Sequence, residues 1–573
     1  MHRPDSVAGK TDMRKGVLGF ANLAMALACA LHAGRSQAQG VPRSLPAPVQ
    51  PTSPLERITP PARPEEQPPL VVQPLPGNEA PPGAERVEIT LSSLDVEGNT
   101  IYSQAQIQAI FADSIGKRVP LTRLFDLANR LEARYRADGY VLTRVLVPEQ
   151  TATGGKFRLR AIEGYVSDVV IEGDAGGVMP LIKSYADRIK AAHPANIKVI
   201  ERYLLLINDT PGVSATGVLR PGSQLGASQL VLDVKVKHFD GFATVDNRGS
   251  RYTGPWGASI GAASNSFTRF GERVEGIFFS TFDDEQHFGQ VSLSGTVLPD
   301  GTRLQLTAGI SPSNPGYTLT PLRVQSITET VGVHALTPWV RSRQFNLNSD
   351  IGLAVVQSHT DVLGSRFNDD QLRILVLGGS ADYRDGWNGL TTGKIDLRQG
   401  LGILGASPTG LERSTPNGQS DALAAIGEVS RLQSVKSWNG RSITAYAVID
   451  GQTSSAPLLA EEQFQLGGQR FGRGYPPADL LGNQALAGSA ELQFNNTTRW
   501  KYLPSYQTYA FYDFGAVWNI VGRQTLASAG IGVRFTVSQP LSIQVELARP
   551  LTRIPDDQSG KGVQAYVAAA VRF

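Results

Sequence analysis

Cysteine is nearly absent from this sequence: Cys29 is the only one in 573 residues, which excludes a disulfide scaffold and a zinc site built on several cysteines. Charged residues are also scarce, at 18% against about 25% in soluble domains. The seven histidines show no metal-ligand spacing, and no phosphate-binding loop ending in Gly-Lys-Ser/Thr occurs. We therefore expect no metal, no cofactor and no nucleotide.

The formal charge of +3 arises entirely at the N-terminus. Residues 1–38 contain five of the 54 basic residues and two of the 51 acidic ones, which leaves 49 of each sign in the remainder. Proteins that bind nucleic acid carry a basic surface that neutralises phosphates. We therefore expect no nucleic-acid partner.

The first residues have the three-part layout of an export signal. Arg14 and Lys15 precede an uncharged apolar run of 18 residues, and small residues follow at Ser36 and Ala38. This layout predicts a signal peptide over residues 1–38, cleaved after Ala38. A transmembrane anchor is the alternative, because 18 apolar residues nearly span a bilayer, but the small-residue site favours cleavage. Beyond Ala38 no comparable apolar run occurs.

Proline is concentrated in the segment that follows. Residues 41–82 contain 14 of the 36 prolines. Proline lacks an N–H donor and fixes φ, so this segment is expected to form neither helix nor sheet interior. We assign residues 39–85 to an extended linker, in which residues 45–58 have room for one turn at most.

Two small units with the same order of elements come next. Residues 86–163 show the hydrophobic periodicity of a strand, two helices and two strands, at 87–98, 103–115, 122–138, 140–147 and 157–162. Residues 164–238 repeat this order at 166–172, 181–192, 199–206, 213–219 and 230–236. Ser103 and Thr122 are the predicted N-caps of the first two helices. The repetition predicts two copies of one α/β domain.

From residue 239 to residue 573 the pattern is one of strands. Segments such as 303–310, 541–548 and 563–573 alternate apolar and polar side chains, which is typical of a transmembrane β-barrel. At about 20 residues per strand with its connection, these 335 residues predict a mostly β fold with a 16-stranded antiparallel barrel. A soluble β-sandwich or propeller is the alternative, but the export signal and the final Phe573 favour the barrel. Five polar residues are predicted to face the lumen: Arg534, Ser542, Gln544, Glu546 and Arg572.

Three stretches carry a family resemblance: 199–213 (VIERYLLLINDTPGV), 245–254 (VDNRGSRYTG), and 466–475 (LGGQRFGRGY) together with 511–515 (FYDFG). Over residues 86–573 the sequence resembles the two-partner secretion outer-membrane transporters (TpsB), which export haemolysins and filamentous haemagglutinins. This family belongs to a larger superfamily of outer-membrane assembly factors. The resemblance implies that 86–163 and 164–238 are polypeptide-transport-associated (POTRA) domains and that 239–573 is the barrel.

In this superfamily an Arg-Gly-aromatic tip on the sixth extracellular loop folds into the barrel and meets the Asp of a Phe-x-Asp-x-Gly strand. The resemblance places loop six at about 452–486 and implies a lock formed by Arg473, Gly474, Tyr475, Phe511, Asp513 and Gly515. Five predicted strands follow this loop, as a 16-stranded barrel requires. Alternation directs Asp513 to the lumen and four neighbours to lipid: Ala510, Tyr512, Phe514 and Ala516.

The predicted tip departs from the family pattern at Gly472, where a β-branched residue is usual, so we expect a more flexible tip. Gly474 is expected to permit a tight turn, and Tyr475 or Phe471 is expected to pack on Phe511.

The resemblance also implies a function. A large exoprotein is recognised unfolded by the POTRA domains in the periplasm and leaves through the barrel in the outer membrane of a Gram-negative bacterium. The resemblance implies that folding of the client outside the cell supplies the energy for export. The client is a cytolysin, an adhesin or a haem-binding protein. The strand at 140–147 and the helix face at 199–206 are candidate client surfaces. Phe573 is the expected signal to the barrel-assembly machinery, and the barrel contacts outer-membrane lipid.

Two motifs that suggest enzymes are discounted, and the chain is expected to be a non-enzyme. Residues 257–261 match G-x-S-x-G around Ser259, but they alternate as in a strand rather than forming a strand–turn–helix. Residues 400–405 match G-x-G-x-x-G, but prolines and glycines follow instead of a helix. The alternatives to export are an outer-membrane assembly factor, which carries three to five POTRA domains, and a passive porin or siderophore receptor.

Overall fold

The computed structural model describes residues 45–49, 70–72, 78–151, 154–410, 412–520, 522–538 and 540–573. The predicted signal peptide and its cleavage site after Ala38 lie outside these residues. All elements below belong to one compact unit, Pro46–Phe573, and of the other unit, Met1–Leu45, only Leu45 is described. Within the described ranges, no helix is both long enough and apolar enough to span a membrane.

The described parts of the proline-rich linker contain two short elements that precede the first domain. A three-residue 3-10 turn, Ala47–Val49, is consistent with the expected limit of one turn, and Val49 is buried. Strand β1 (Leu70–Val72) belongs to the sheet of the second α/β domain. The linker is therefore not only a spacer, because part of it is a strand in a folded sheet.

The first α/β domain has two helices that pack on a three-stranded sheet of order β3-β6-β5. Its elements are β2 (Glu88–Leu91), β3 (Ser93–Glu97), α1 (Gln104–Phe111), β4 (Lys117–Pro120), α2 (Thr122–Ala137), β5 (Arg144–Leu146) and β6 (Lys156–Ile162). The single strand predicted at 87–98 is wrong: the chain bends at Ser92, whose N–H donates to the Gly155 carbonyl at 2.8 Å. The residues before the bend pair with β4, which was not predicted.

Helix starts in this domain show one correct and one wrong prediction. Ser103 caps α1 in a capping box, where its hydroxyl accepts from the Gln106 N–H and the Gln106 side chain accepts from the Ser103 N–H. Thr122 is not a cap, because it is already helical and Leu121 holds the cap position without a side-chain bond. The strand predicted at 140–147 is only β5, since a turn closes with the Thr143 N–H donating to the Tyr140 carbonyl.

The second α/β domain repeats the topology of the first. It consists of β7 (Tyr165–Glu172), α3 (Met179–Ala191), α4 (Ile197–Asn208), β8 (Val213–Pro221) and β9 (Ala227–Val236). Strand β9 is parallel to β7 and antiparallel to β8, as β6 is parallel to β3 and antiparallel to β5. This shared pattern confirms the predicted repeat. Strand β1 adds parallel to β8, so the sheet order is β1-β8-β9-β7.

Sixteen antiparallel strands then close into a barrel, as predicted. They are β10 (Phe239–Asp246), β11 (Gly257–Asn265), β12 (Arg273–Thr281), β13 (His287–Thr296), β14 (Arg303–Ser313), β15 (Gln325–Arg341), β16 (Phe345–Val362), β17 (Ser365–Arg384), β18 (Gly389–Gly400), β19 (Leu423–Trp438), β20 (Arg441–Ser454), β23 (Gln484–Thr497), β24 (Ser505–Asn519), β25 (Gly522–Thr536), β26 (Leu541–Pro550) and β27 (Gln564–Arg572). Two short strands, β21 (Phe464–Leu466) and β22 (Leu480–Gly482), lie in the connection between β20 and β23.

The barrel closes between its first and last strands. Strands β10 and β27 pair from Phe242–Arg572 to Asp246–Ala568. Gly241 and Phe573 extend this seam, because each donates its N–H to the carbonyl of the other at 3.0 Å. The outward side chains of the strands are large and apolar, as a lipid-facing surface requires; examples are Ile260, Phe278, Val291, Ile351, Ile395 and Ile531.

Helix α4 docks the second α/β domain onto the turn after β13 and the end of strand β15. The Arg202 guanidinium donates to the carbonyls of Asp300, Pro338 and Trp339 at 2.8–3.0 Å. Asp209, directly after the helix, binds Arg341 through two hydrogen bonds of 2.6 and 2.7 Å. The helix face at 199–206 is therefore not an open client surface. Its three leucines are also buried: Leu204, Leu205 and Leu206.

Candidate functional site in the barrel lumen

Loop six, residues 455–483 between β20 and β23, lies inside the barrel. Strands β21 and β22 form a hairpin in it, and the tip between them carries Arg473. The hairpin packs on the wall through one apolar cluster: Val448, Phe464, Leu466, Phe471, Tyr475, Leu480, Ala485, Ala487, Val517 and Leu526. Gly515 makes room for this packing, since a Cβ there would lie 2.4 Å from the Leu466 Cδ1 atom.

The structure brings Arg473 and Asp513 together through a paired contact. The Arg473 Nη2 and Nε atoms donate to Asp513 Oδ1 and Oδ2 at 2.8 and 3.1 Å. The Arg473 backbone N–H also donates to Oδ2, at 2.9 Å. Two parallel bonds fix orientation as well as distance, and the backbone bond fixes the main chain of the tip too.

Asp513 is fully buried and receives two further hydrogen bonds from the barrel wall. Ser489 on β23 and Ser528 on β25 are its register partners, and their hydroxyls donate to it at 2.8 and 3.1 Å. With the three bonds from Arg473, five donors surround one carboxylate. Such complete pairing is what a buried charge requires.

Arg473 has further partners in the wall, and its Nη2 atom also donates to the Ser489 hydroxyl at 3.0 Å. Its Nη1 atom lies 2.7 Å from Glu491 Oε2, and its Cζ atom lies 3.5 Å from the centre of the Phe511 ring. The expectation that Tyr475 or Phe471 packs on Phe511 is wrong, because the guanidinium occupies that ring face. Phe511 instead belongs to a separate apolar cluster with Tyr509 and Ala548.

The ion pairs continue around the lumen beyond the predicted residues. Arg534 binds Glu491 at 2.7 Å, and Arg248 binds Glu546 at 3.0 Å. Tyr509 links these two ion pairs, since its hydroxyl donates to Glu546 and its ring lies 3.9 Å from the Arg534 Cζ atom. Together with Arg473 and Asp513, the network holds three guanidinium groups and three carboxylates, so its formal charge is zero.

The two glycines of the tip act differently from the sequence prediction. Gly472 has φ +93°, which side-chain-bearing residues rarely adopt, so a β-branched residue is disfavoured here and the tip is packed rather than loose. Gly474 has no positive φ; its role is close approach, since a Cβ would lie 2.7 Å from the Pro550 nitrogen. Tyr475 is buried, and its hydroxyl donates to the Ala527 carbonyl at 3.1 Å.

Two further anchors hold loop six along its length. Arg398 binds Glu462 through two hydrogen bonds of 2.7 Å, and Arg470 lies 2.8 Å from Asp450. The linker turn Ala47–Val49 contacts β22, so the linker also reaches this loop. Loop six is thus attached to strands β18 and β20 as well as to β24 at its tip.

A cavity of about 750 Å³, lined by apolar residues and by charged residues of both signs, remains beside the tip of loop six. The five residues predicted to face the lumen all line it: Arg534, Ser542, Gln544, Glu546 and Arg572. On β24 the alternation places Asp513 inside and Ala510, Tyr512 and Phe514 outside. Ala516 is on the outer face as well, opposite the exposed Leu486, although neighbouring side chains cover it.

The discounted motifs lie in ordinary barrel positions. Ser259 is in the middle of β11, where its hydroxyl lies 2.5 Å from that of Thr244, and the chain makes no elbow there. Gly400 ends β18, and the residues to 405 belong to a loop. Among the described residues, no group of three or more His, Cys, Asp or Glu side chains is placed to hold a metal ion.

Sequence reasoning missed the wall partners of the lock. Ser489 and Glu491 stand two positions apart on β23, so the same alternation that located Asp513 would have located them. Arg248 lies two residues after the end of β10, and nothing in the sequence relates it to Glu546, which is 298 positions away.

Comparisons with known proteins agree with this architecture. The family profile "Haemolysin secretion/activation protein ShlB/FhaC/HecB" matches residues 226–535, and "POTRA domain, ShlB-type" matches residues 89–164. The chain is 23% identical over 466 residues to the heme/hemopexin transporter protein HuxB of Haemophilus influenzae (strain 86-028NP), covering 78% of this chain and 80% of that protein. It is 24% identical to the outer membrane transporter CdiB of Dickeya dadantii (strain 3937), covering 71% and 72%. The solved structure of CdiB from Escherichia coli has the same fold, with a TM-score of 0.73 at 19% identity, over 86% of this chain and 92% of that one.

Proposed function

Because the chain belongs to the haemolysin secretion/activation protein family ShlB/FhaC/HecB, we propose that it captures one large unfolded exoprotein in the periplasm and exports it through its barrel. The family contains outer-membrane transporters of two-partner secretion, and its POTRA domains lie in the periplasm. The two α/β domains are the POTRA pair, called POTRA 1 and POTRA 2 below.

The observation that carries this proposal is the charge-balanced lumen around loop six. An unfolded client exposes unpaired backbone donors and acceptors that need polar partners along its path. A lining of both charge signs offers weak partners to many sequences and holds none of them tightly. The cavity beside Arg473 provides such a lining, and POTRA 2 is docked at the periplasmic end of the same barrel.

The lock of Arg473 and Asp513 is proposed to keep loop six in one register during export. Its contribution to stability is expected to be small, since desolvation of two buried charges offsets much of their attraction. The role proposed for the five hydrogen bonds to Asp513 is to fix the position and orientation of the loop-six tip rather than to stabilise the barrel. The tip of loop six would then keep a fixed position while the client passes through the cavity.

Capture is proposed to occur at a POTRA sheet edge, where an extended client segment adds as a strand. Helix α4 is not a candidate for client capture, because it contacts the barrel at Asp300 and at the end of β15. Phe573 is proposed as the signal to the barrel-assembly machinery, and the apolar outer face as the contact with outer-membrane lipid. No nucleotide motif is present in the sequence, so client folding outside the cell is the proposed source of energy.

The test is export in a Gram-negative host that lacks both partners. The chain is expressed with one candidate large exoprotein at a time, and the client is measured in the medium. A haem-binding exoprotein belongs among the clients tested because of the HuxB relatives, beside cytolysins and adhesins. Client in the medium only when the chain is present supports the proposal. Equal export without the chain, or from a barrel lacking residues 86–238, contradicts it.

A further inference from the structure

Loop eight, residues 551–563 between β26 and β27, packs on loop six at the end of the barrel opposite POTRA 2. The Arg553 N–H donates to the Tyr475 hydroxyl at 3.3 Å, and the Asp556 N–H donates to Asp479 Oδ1 at 2.9 Å. Tyr475 and Asp479 both lie between Arg473 and β22 in the sequence. Loop eight therefore holds the part of loop six that returns from the tip to the barrel wall.

Loop eight is also attached to loop one, residues 247–256 between β10 and β11. The Arg251 N–H donates to Asp557 Oδ2 at 3.0 Å, and the Tyr252 hydroxyl donates to the Asp556 carbonyl at 3.1 Å. Because β10 and β27 form the seam of the barrel, these contacts join the two sides of the seam. We call the contacts of loop eight with loops one and six the clasp.

The carboxylates of the clasp are buried but incompletely paired. Asp479 is fully buried, and its Oδ2 atom makes no hydrogen bond within the described residues. The Arg553 Nε atom lies 3.6 Å from that oxygen, while Arg553 Nη2 binds Asp556 Oδ1 at 2.5 Å and Arg553 Nη1 makes no hydrogen bond to the described residues. Asp557 is buried too, and its Oδ1 atom likewise has no hydrogen bond in the described ranges. Two carboxylates therefore share one guanidinium group, and a third carboxylate lies beside them.

The charges of the clasp balance only when one proton is added. The charged groups that face Asp479 are Arg553, Asp556 and Asp557 of loop eight, with Arg251 of loop one beyond Asp557. With every group ionised, three carboxylates and two guanidinium groups leave a formal charge of −1. A proton on one carboxyl group neutralises the clasp and removes the charge from a buried oxygen that has no hydrogen-bond donor.

The other titratable groups at the clasp have partners elsewhere. The hydroxyls of Tyr475 and Tyr252 donate to the carbonyls of Ala527 and Asp556. Lys561 is exposed, and its Nζ atom donates to the carbonyls that follow β26, so solvent screens its charge.

Burial shifts all three carboxyl groups in one direction, and all three lie in loops outside the membrane-spanning strands. Burial raises the pKa of Asp479 from its ordinary value of 3.8 to about 7, and it also raises the pKa of Asp556 and of Asp557. A raised pKa in the closed clasp means that a bound proton stabilises the closed state. That contribution is complete below the ordinary value, declines as the pH rises and is lost above about 7.

We propose that the clasp is a proton-operated device: it holds loop eight on loops one and six while Asp479 carries a proton, and it opens when Asp479 ionises. An ionised Asp479 is a buried charge that faces two further carboxylates, with one guanidinium group at 3.6 Å. Movement of loop eight away from loop six brings water to that charge, which removes the cost of its burial. The device acts at the mouth of the barrel without a client and is therefore separate from the proposed export.

The test measures the position of loop eight in the purified full-length protein as the pH is changed. Two nitroxide spin labels are attached, at Gly560→Cys in loop eight and at Ile395→Cys on the exposed face of β18, and the distance between them is measured by pulsed electron paramagnetic resonance. A label is tolerated at Gly560 because nothing lies within 4 Å of a Cβ there. The only natural cysteine, Cys29, lies in the predicted signal peptide. Between about pH 5 and about pH 8, the ratio of the closed to the open distance population should fall by about tenfold or more.

Asp479→Asn separates the proton from the shape of the side chain, because asparagine keeps an oxygen for the Asp556 N–H and cannot ionise. In this variant loop eight should stay closed at both pH values. Asp283→Asn, at an exposed carboxylate in the turn after β12, is the matched control and should respond as wild type.

A second label pair, Ile395→Cys with Thr525→Cys, joins two barrel strands and should keep one distance at both pH values. Heat-modifiable mobility on a gel shows whether each variant is folded. The inference is overturned if the loop-eight distance of the wild-type protein does not change with pH, or if Asp479→Asn responds as strongly as wild type. The wild-type titration decides the matter even if Asp479→Asn fails to fold, and since no client is present the result is independent of export.

Discussion

Arg473 and Asp513 lie 40 positions apart in the sequence, yet two parallel hydrogen bonds of 2.8 and 3.1 Å join the guanidinium on loop six to the carboxylate on the barrel wall. A third bond, from the Arg473 N–H, ties the main chain of the tip to the same carboxylate. The tip of loop six is therefore tied to one residue of β24 through both its side chain and its main chain.

We expect Arg473→Ala and Asp513→Ala each to cut client export by about tenfold or more while the barrel still inserts. Removing one partner of a buried ion pair costs about 3–5 kcal/mol, because the other charge stays buried and unpaired. Arg473→Lys should restore little, since an ammonium cannot form the paired contact. Export is measured as client in the medium, and insertion as heat-modifiable mobility on a gel.

Arg499→Ala is the matched control for loss of a cation, because Arg499 is exposed in the turn between β23 and β24. It should export as wild type. Wild-type export by either lock variant would refute a role in transport, and loss of the barrel itself would show that the pair serves assembly instead.

Gly474→Ala tests the close approach of the tip to the wall. The added Cβ would lie 2.7 Å from the Pro550 nitrogen and 2.8 Å from the Arg549 carbonyl carbon, and backbone atoms cannot yield as a flexible side chain would. We expect the tip to shift and export to fall as in Arg473→Ala. Gly562→Ala is the control, because nothing lies within 4 Å of a Cβ there. Equal export by the two variants would contradict the packed position of the tip.

Much of the fold could be read from the sequence because strand alternation has a period of two. That period places Asp513 inside and Tyr512 outside, and together with loop lengths it gives 16 strands. The lock itself came from a family resemblance, since no local pattern relates Arg473 to Asp513. Strand β1 could not be predicted, because three residues among prolines lack a periodic signal. The docking of Arg202 could not be predicted either, because it binds backbone carbonyls, which are present whatever the side chains at those positions.

Two variants of Phe573 can separate its proposed role as an assembly signal from its hydrogen bonds at the barrel seam. Its backbone forms two hydrogen bonds with Gly241 at the barrel seam, and a Cβ on Gly241 would lie 2.7 Å from its ring. Deleting Phe573 removes the bonds and the ring, whereas Phe573→Ser removes only the ring. If the ring is the assembly signal, both changes should lower the amount of heat-modifiable barrel several-fold. Normal assembly of Phe573→Ser with failure of the deletion would assign the effect to the seam bonds.

Arg202→Ala should loosen POTRA 2 from the barrel. The change removes all three bonds to the carbonyls of Asp300, Pro338 and Trp339. Hydrogen bonds of a charged group contribute about 1.5–3 kcal/mol each, so the docking should weaken and export should fall by about tenfold or more while the barrel stays inserted. Lys198→Ala, on the exposed side of the same helix, is the control. Protease cleavage near residue 238 should become faster in the first variant only; unchanged cleavage would contradict the docking role.

The most direct test of export through the barrel is cross-linking of a client stalled in transit. A folded domain fused to the client blocks completion, and a photo-reactive residue is placed at Gln544, which lines the cavity, or at the neighbouring Val545, which is exposed on the outer face. If the client passes through the lumen, position 544 forms a cross-link to it and position 545 does not. Client on the cell surface without a cross-link at 544, or with equal cross-links at both positions, would contradict export through this barrel.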